Sequence, residues 1–186
     1  MDERSSAPDA DAGLMLRVRE GDQAAFRELF ERHAARLVGF VDRFFYNRAV
    51  SEEVVQEVFI KVYRARKKYR PKSKFTTWLY TIATRTSLNE LRRGVHQQKR
   101  QELEEANGAT PQIDDEVAGR RLQERVAKIL ESLPENQRAA FLLVRFGGRS
   151  YEEVAQILGL SESAVKSQIF RATEAVRKGI ADGSET

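Results

Sequence analysis

Apolar residues recur at three- and four-residue steps through most of this chain, the spacing that gathers them on one face of a helix. Leu14, Leu16 and Val18 begin the series, and Phe26, Leu29, Phe30, Leu37 and Phe40 continue it, with His33 in the same register. Gly21-Asp22 interrupts them, and Asp22 is a suitable N-cap for the second helix. Ser51-Glu52-Glu53-Val54 predicts the next helix start, with its acids at the positive end of the helix dipole. Val54, Val55, Val58, Phe59, Val62 and Tyr63 form that helix's stripe. Residues 69–74 break the pattern and read as a loop. Phe75 then opens a helix carrying Leu79, Ile82, Ala83, Leu88 and Leu91, expected to end near Arg93-Gly94 with Gly as its C-cap. Residues 96–118 lose periodicity and are rich in Gln, Glu, Asp, Asn and Gly, a linker composition. The pattern resumes at Leu122, Val126, Ile129 and Leu130, restarts after Pro134, and stops at Gly147-Gly148. No strand alternation appears. The expected fold is all-α, two small helical domains joined by a flexible linker. The expected boundaries are a disordered tail over 1–12, a first domain over 13–94, a linker over 95–118 and a second domain over 119–182.

The C-terminal part has the pattern of a helix-turn-helix. Ser150 is placed to cap a short helix, Tyr151 to Leu158. Gly159-Leu160-Ser161 makes the turn, where Gly159 supplies a positive φ, and Ser161 caps a second helix reaching about Lys178. Ala155 is small where two helices would cross closely, and Val154, Leu158, Leu160, Val165 and Ile169 would fill the wedge between them. Docked in a major groove by its N-terminal turns, the second helix would turn Ser161, Ser163, Ala164, Lys166, Ser167 and Gln168 outward, with Arg171 one turn further on. Lys and Arg hold phosphates there, and Arg can read guanine edges.

Charge adds a second nucleic-acid signal. The formal net charge of the 186-residue chain is only +4. Residues 61–100, however, hold thirteen Lys and Arg against one acid, Glu90, between acidic flanks. A block so poor in opposite-sign partners points to a polyanion. Within it, Lys74-Phe75-Thr76-Thr77-Trp78-Leu79-Tyr80-Thr81-Ile82-Ala83 interleaves aromatics with cations, followed by Arg85, Arg92 and Arg93. Rings that stack bases beside cations that hold phosphates suit single-stranded DNA; the competing reading places Phe75, Trp78 and Tyr80 in the core. Cysteine is absent, which removes disulfides and thiolate metal ligands. His33 and His96 cannot build a zinc site alone and read as surface residues. No apolar run approaches the ~18 residues that span a bilayer, and the acidic, small-residue start is unlike a signal peptide. A cytoplasmic protein without cofactor is expected.

Three stretches in order resemble the extracytoplasmic-function class of bacterial RNA polymerase sigma factors. The resemblance covers Leu14 to Lys178. Ala49 to Tyr63 is similar to the helix that docks on the polymerase clamp, and implies core-polymerase contacts at Glu53, Val54, Val55, Gln56 and Phe59. Phe75 to Ala83, ending at Leu91-Arg92-Arg93, is similar to the segment that captures unstacked minus-10 bases. It implies contacts from Arg70, Lys72, Lys74, Phe75, Thr76, Thr77, Trp78, Tyr80, Arg85, Asn89, Arg92 and Arg93. The loop from about Tyr69 to Lys74 would shape the site of a flipped base. Leu133 to Ala172 resembles the minus-35 domain, and implies duplex contacts from Arg149, Ser161, Ser163, Ala164, Lys166, Ser167, Gln168 and Arg171. Two departures stand out: Glu53-Val54-Val55 replaces the common Asp-Leu-Val, and Gln168 stands where many members have Arg. The class implies core RNA polymerase and promoter DNA as partners, control by an anti-sigma factor, and no membrane insertion of its own. With the chain ending soon after the helix-turn-helix, no appended sensor domain is expected.

Two other readings compete with this one. A stand-alone helix-turn-helix repressor or activator would need a dimer interface to match paired half-sites, and no spare apolar helix offers one. An enzyme would need a phosphate loop, metal cluster or nucleophile–base set, and the sequence shows none.

Overall fold

A computed structural model describes residues 9–104 and 118–181. The elements among them are all helical. α1 spans Ala10–Arg19, α2 Gln23–Phe45, α3 Arg48–Ala65 and α4 Phe75–Glu104; α5 spans Ala118–Ser132, α6 Glu135–Arg145, α7 Tyr151–Leu158 and α8 Glu162–Ala181. The first four helices pack as one domain and the last four as another. The segment 105–117, the core of the expected linker, lies outside the described residues, as do most of the expected tail and the final residues 182–186.

Local chemistry accounts for most helix ends. Gly21 takes φ +102° and Asp22 caps α2, its carboxylate accepting from the Ala25 N–H at 3.0 Å. α2 ends at Tyr46 in the left-handed region, φ +48°, and the chain re-enters helix at once. Asn47 accepts from the Val50 N–H and caps α3. Ser51, the expected start of that helix, instead lies inside it and is buried, its hydroxyl donating to the Asn47 carbonyl at 2.7 Å. The cap is thus an Asn one turn earlier.

α4 runs through Gly94 rather than stopping there. A glycine ends a helix when it adopts positive φ and its neighbours satisfy the last carbonyls. Gly94 stays helical, at the usual cost of about 1 kcal/mol relative to Ala. The helix covers residues 95–104 of the expected linker.

The expected tail over 1–12 is too long. Asp9 caps α1, accepting from the Asp11 and Ala12 N–H groups. Its other carboxylate oxygen accepts from the Phe75 N–H at 2.6 Å. One side chain therefore caps α1 and the start of α4. Asp11 reaches Arg32 at 2.8 Å and His33 Nε2 at 2.8 Å. His33 is accordingly not a solvated surface residue: its side chain is 12% exposed and its ring packs 5.5 Å from that of Phe75.

The first core is aromatic. Phe40, Phe44, Phe75 and Leu79 are fully buried with Leu29, Leu37 and Met15. Phe40 meets Tyr80 at 4.9 Å between ring centres, a separation favourable for edge and tilted pairs. The second core is aliphatic, built on Leu130, Leu142, Leu143, Val154 and Val165.

Candidate nucleic-acid interface

The helix-turn-helix forms from short-range signals. Ser150 and Glu153 make a reciprocal capping box, with the Glu153 N–H donating to Ser150 Oγ at 3.1 Å and the Ser150 N–H to Glu153 Oε2 at 2.9 Å. Both orphan donors at the start of α7 are thereby satisfied. Gly159 ends α7 at φ +67°, and the Leu160 N–H returns to the Ala155 carbonyl at 3.0 Å. Ser161 caps α8 through the Ala164 N–H at 3.2 Å. Val154, Ala155, Ile157, Val165, Ile169 and Ala172 are buried between the helices, while Leu158 and Leu160 are half-buried.

That packing decides which α8 side chains face out. Ser161, Ser163, Lys166, Ser167 and Arg171 are exposed, and Ala164 and Gln168 are half-buried. Among the described residues no carboxylate pairs with Lys166 or Arg171, so the exposed strip is cationic. Ser167 turns its hydroxyl back to the Ser163 carbonyl at 3.1 Å. One further residue shares the strip: Phe170, 68% exposed, the most exposed large apolar side chain described. Sequence reasoning missed it. The available signal was a phenylalanine wedged between core positions 169 and 172, off the apolar stripe.

The basic block is divided by burial. Arg70, Lys72 and Lys74 project from the 70–74 loop, and Arg85, Asn89, Arg92 and Arg93 are exposed along α4. Phe75 and Tyr80 are fully or nearly fully buried, at 0% and 2% exposure; for them the core reading describes this conformation. Trp78 is half-buried and packs at a tilt against Tyr69, 4.8 Å between ring centres. Tyr69 is itself buried, which pushes its hydroxyl up to about 12, with Asp9 and Asp11 adding to the effect. Burial also raises Tyr80, opposed by Arg149.

The helix α3 shows the same division. Val54, Val55 and Phe59 are buried, whereas Glu53 and Gln56 are exposed. Ile60 stands 49% exposed beside Phe30, 40% exposed, from α2. Together with Phe26, Gln56 and Tyr63 they line two shallow adjoining grooves of about 430 Å³ each. Phe30 packs edge-on against Phe59 at 4.8 Å, so the buried ring supports the exposed one.

The two domains touch through α4 and α7 and through α2 and α6, away from the exposed face of α8 and the α2–α3 groove. Arg149, at the mouth of the helix-turn-helix, points inward. Its guanidinium donates to Thr76 Oγ1 at 2.9 Å, lies 3.5 Å from Glu153 and sits 4.8 Å from the Tyr80 ring. Thr77 donates to Glu153 at 3.5 Å, and Lys74 lies 3.8 Å from the same oxygen. On the other flank Arg92 clasps Glu135, Nε to Oε1 at 2.7 Å. Buried Arg138 donates to the Phe44 carbonyl, and Arg43 covers the exposed Phe146 at 4.9 Å. Gly147 is needed at the contact. A Cβ there would meet the Leu143 carbonyl at 2.6 Å and the Tyr80 ring at 3.2 Å.

Two helical domains, one bearing a helix-turn-helix and the other a cationic loop and helix, define a bipartite DNA-binding protein. Comparison narrows the class. The Sigma-70 region 2 family model matches residues 29–96, and the Sigma-70 region 4 model matches residues 123–176. The chain is 38% identical over 179 residues to the ECF RNA polymerase sigma-E factor of Escherichia coli strain K12, covering 89% of this chain and 92% of that one. It is 36% identical over 180 residues to the RNA polymerase sigma-H factor of Pseudomonas aeruginosa, with coverages of 91% and 93%. The structure of CnrH in complex with the cytosolic domain of CnrY aligns with TM-score 0.72 and 26% identity, over 94% of this chain and 99% of that one. The sigma factor RpoE of Bartonella quintana, solved with the anti-sigma factor NepR, shares the fold at TM-score 0.61 and 23% identity, over 84% and 96%. The chain belongs to the extracytoplasmic-function sigma factors of the sigma-70 family. Among the described residues no group of His, Cys, Asp and Glu could hold a metal ion, and no helix is long and apolar enough to cross a membrane.

Proposed function

We propose that this sigma factor binds core RNA polymerase through the α2–α3 groove, holds the minus-35 duplex with α8, and captures the minus-10 strand with the 70–74 loop and the start of α4. The carrying observation is the exposed face of α8, where Lys166, Arg171 and Phe170 stand together on a helix positioned by a fully capped turn. The cations suit phosphates or guanine edges, and the ring suits the apolar thymine methyl. Ser161, Ser163, Ala164, Ser167 and Gln168 border the same face. In the first domain, Arg70, Lys72, Lys74, Arg85, Asn89, Arg92 and Arg93 supply the exposed polar contacts, and Trp78 is the least buried ring of the 75–80 segment.

For the polymerase, burial shifts the contact surface. Glu53 and Gln56 remain candidates for direct contact; Val54, Val55 and Phe59 support it from beneath. Phe30 and Ile60, the exposed apolar pair, supply the centre that a protein interface needs. α1–α4 and α5–α8 then act as the two promoter-binding domains, with residues 105–117 between them in the chain. An anti-sigma factor is a third partner, a reading supported by the two similar structures, one solved with the anti-sigma factor NepR and the other with the cytosolic domain of CnrY.

The test is transcription in vitro from promoters mapped by transcript start sites after overexpression. Core polymerase plus the chain should initiate, and Lys166→Ala or Arg171→Ala should weaken minus-35 binding by roughly 1–3 kcal/mol where the residue reads a base. Tight duplex binding by the chain alone, with no initiation, would favour the stand-alone repressor instead.

A further inference from the structure

The minus-10 assignment uses only part of the cationic run. Six of the nine residues from Arg66 to Lys74 are Lys or Arg, and none is acidic. The run begins in a 3-10 turn, Arg66–Lys68, that joins α3 to the 70–74 loop. Arg64, just before it, lines the α2–α3 groove. Arginines and lysines of the run divide by role. Arg66 Nη1 donates to the Tyr63 carbonyl at 2.9 Å, and its guanidinium lies 3.9 Å from the centre of the Tyr63 ring. Arg70 Nη1 folds back on the Tyr69 and Lys67 carbonyls, at 2.9 and 3.4 Å. These two arginines tie off carbonyls of the kind a helix end leaves without partners. Buried Tyr69 pins the far end of the turn to the core. Lys67 and Lys68 take no part in this. Both are exposed, and among the described residues no carboxylate pairs with either.

Solubility alone does not account for them, because a solvated helix face ordinarily interleaves charges of both signs. The acids that act on Tyr69, Asp9 and Asp11, are engaged elsewhere, on the N–H groups of Asp11, Ala12 and Phe75 and on Arg32 and His33. The like charges of Lys67, Lys68, Arg70 and Lys72 therefore repel one another until an anion arrives. The turn enters the 70–74 loop from α3, and α4 leaves it. A strand lying across the loop and the start of α4 thus runs on towards the two lysines. An ammonium on a flexible stem is a point charge well suited to phosphate.

We infer that Lys67 and Lys68 form a phosphate track that holds the promoter strand just outside the minus-10 hexamer, whatever its bases. The inference rests on the minus-10 assignment proposed above and adds to it a contact without sequence preference. Phosphate contacts fix register and orientation on a nucleic acid, so the track steadies the strand while the loop and α4 hold its bases.

The test compares holoenzyme made with the unmodified chain and with Lys67→Gln plus Lys68→Gln. Two dye-labelled non-template strands of a mapped promoter serve as probes: the minus-10 hexamer alone, and the hexamer extended by a few nucleotides at each end. Each phosphate contact on a single strand adds about 0.7 to the steepness with which log K falls against log salt. The double variant should therefore flatten that slope by about 1.4 on the extended strand and lower its affinity about 10-fold or more at about 0.1 M salt. Hexamer binding and melting temperature should not change. The loss should be the same for flanks of scrambled sequence, and Lys67→Arg with Lys68→Arg should restore binding. Equal slopes and affinities for the two holoenzymes on the extended strand would overturn the track. So would an equal loss on the hexamer alone. Unchanged strand binding, with the free chain released from phosphatidylglycerol vesicles by the same substitutions, would assign the lysines to a lipid surface instead. If holoenzyme with the unmodified chain binds neither strand and does not initiate, the minus-10 assignment falls, and the track with it.

Discussion

Asp9 provides the sharpest test of how the first domain is held. Its Oδ1 accepts from two N–H groups at the start of α1, and its Oδ2 accepts from the Phe75 N–H. Asp9→Ala removes both caps. Loss of an N-cap costs typically about 1 kcal/mol. Phe75 is fully buried, and a buried donor left unpaired costs about 1–3 kcal/mol. The expected destabilisation is therefore about 2–4 kcal/mol, well above the effect of an ordinary surface change. At about 4–8 °C per kcal/mol for a domain of this size, the first-domain transition should drop by at least about 8 °C. Urea and thermal unfolding followed by circular dichroism would read it, with Trp78 fluorescence identifying the first domain. Asp9→Asn should recover much of the loss, since Asn also caps helices. A drop below about 0.5 kcal/mol, or an Asn variant as weak as the Ala one, would refute the double cap. The loop 70–74 ends at this anchor, so Asp9→Ala should also reduce minus-10 strand binding in chains that remain folded.

Ile60→Asp should weaken assembly with core polymerase by about 10-fold or more, as expected for an anchor at an interface centre, with an unchanged melting temperature; Val55→Asp should instead unfold the domain by burying a charge, and pull-down beside a melting curve separates the two. Gly159→Ala should cost about 1–2 kcal/mol, because an added Cβ meets nothing within 4 Å and only the left-handed backbone resists it; denaturant unfolding of the chain would check this. Arg92 holds the Glu135 carboxyl below the ordinary glutamate range, so the attraction between them is present above the unfolded value, about 4.3, and is lost as pH falls through the lower folded value. Carboxyl NMR should accordingly show Glu135 titrating at lower pH than it does in Arg92→Gln.

How much of this was legible in sequence depends on the range of the interaction. Ser150, Glu153, Gly159, Asp22 and Ser161 act within a few residues of themselves, and their roles could be read directly. Ser51 misled because Asn47, one turn earlier, competes for the same role. Gly94 misled because glycine stops a helix only where its backbone turns left-handed. Asp9 caps Phe75 across 66 residues, and no local pattern carries such a pairing. Neither does periodicity say which aromatic of a mixed segment faces inward: Phe75 and Tyr80 went to the core while Trp78 kept part of its surface. Arg149 was legible as a cation beside the helix-turn-helix, but its inward aim follows from the domain contact, which depends on both domains at once.

The uninterrupted course of α4 has a mechanical consequence. Thirty residues of helix make a rod about 45 Å long at about 1.5 Å per residue. Its base is set beside the loop anchored by Asp9, and its far end launches the segment that leads to the second domain. A tilt of about 10° at the base would carry the tip through about 8 Å over that length. An adjustment of under 2 Å at the first turn, of the size one side chain can impose, is thus magnified at the far end into a displacement wider than a DNA base-pair step.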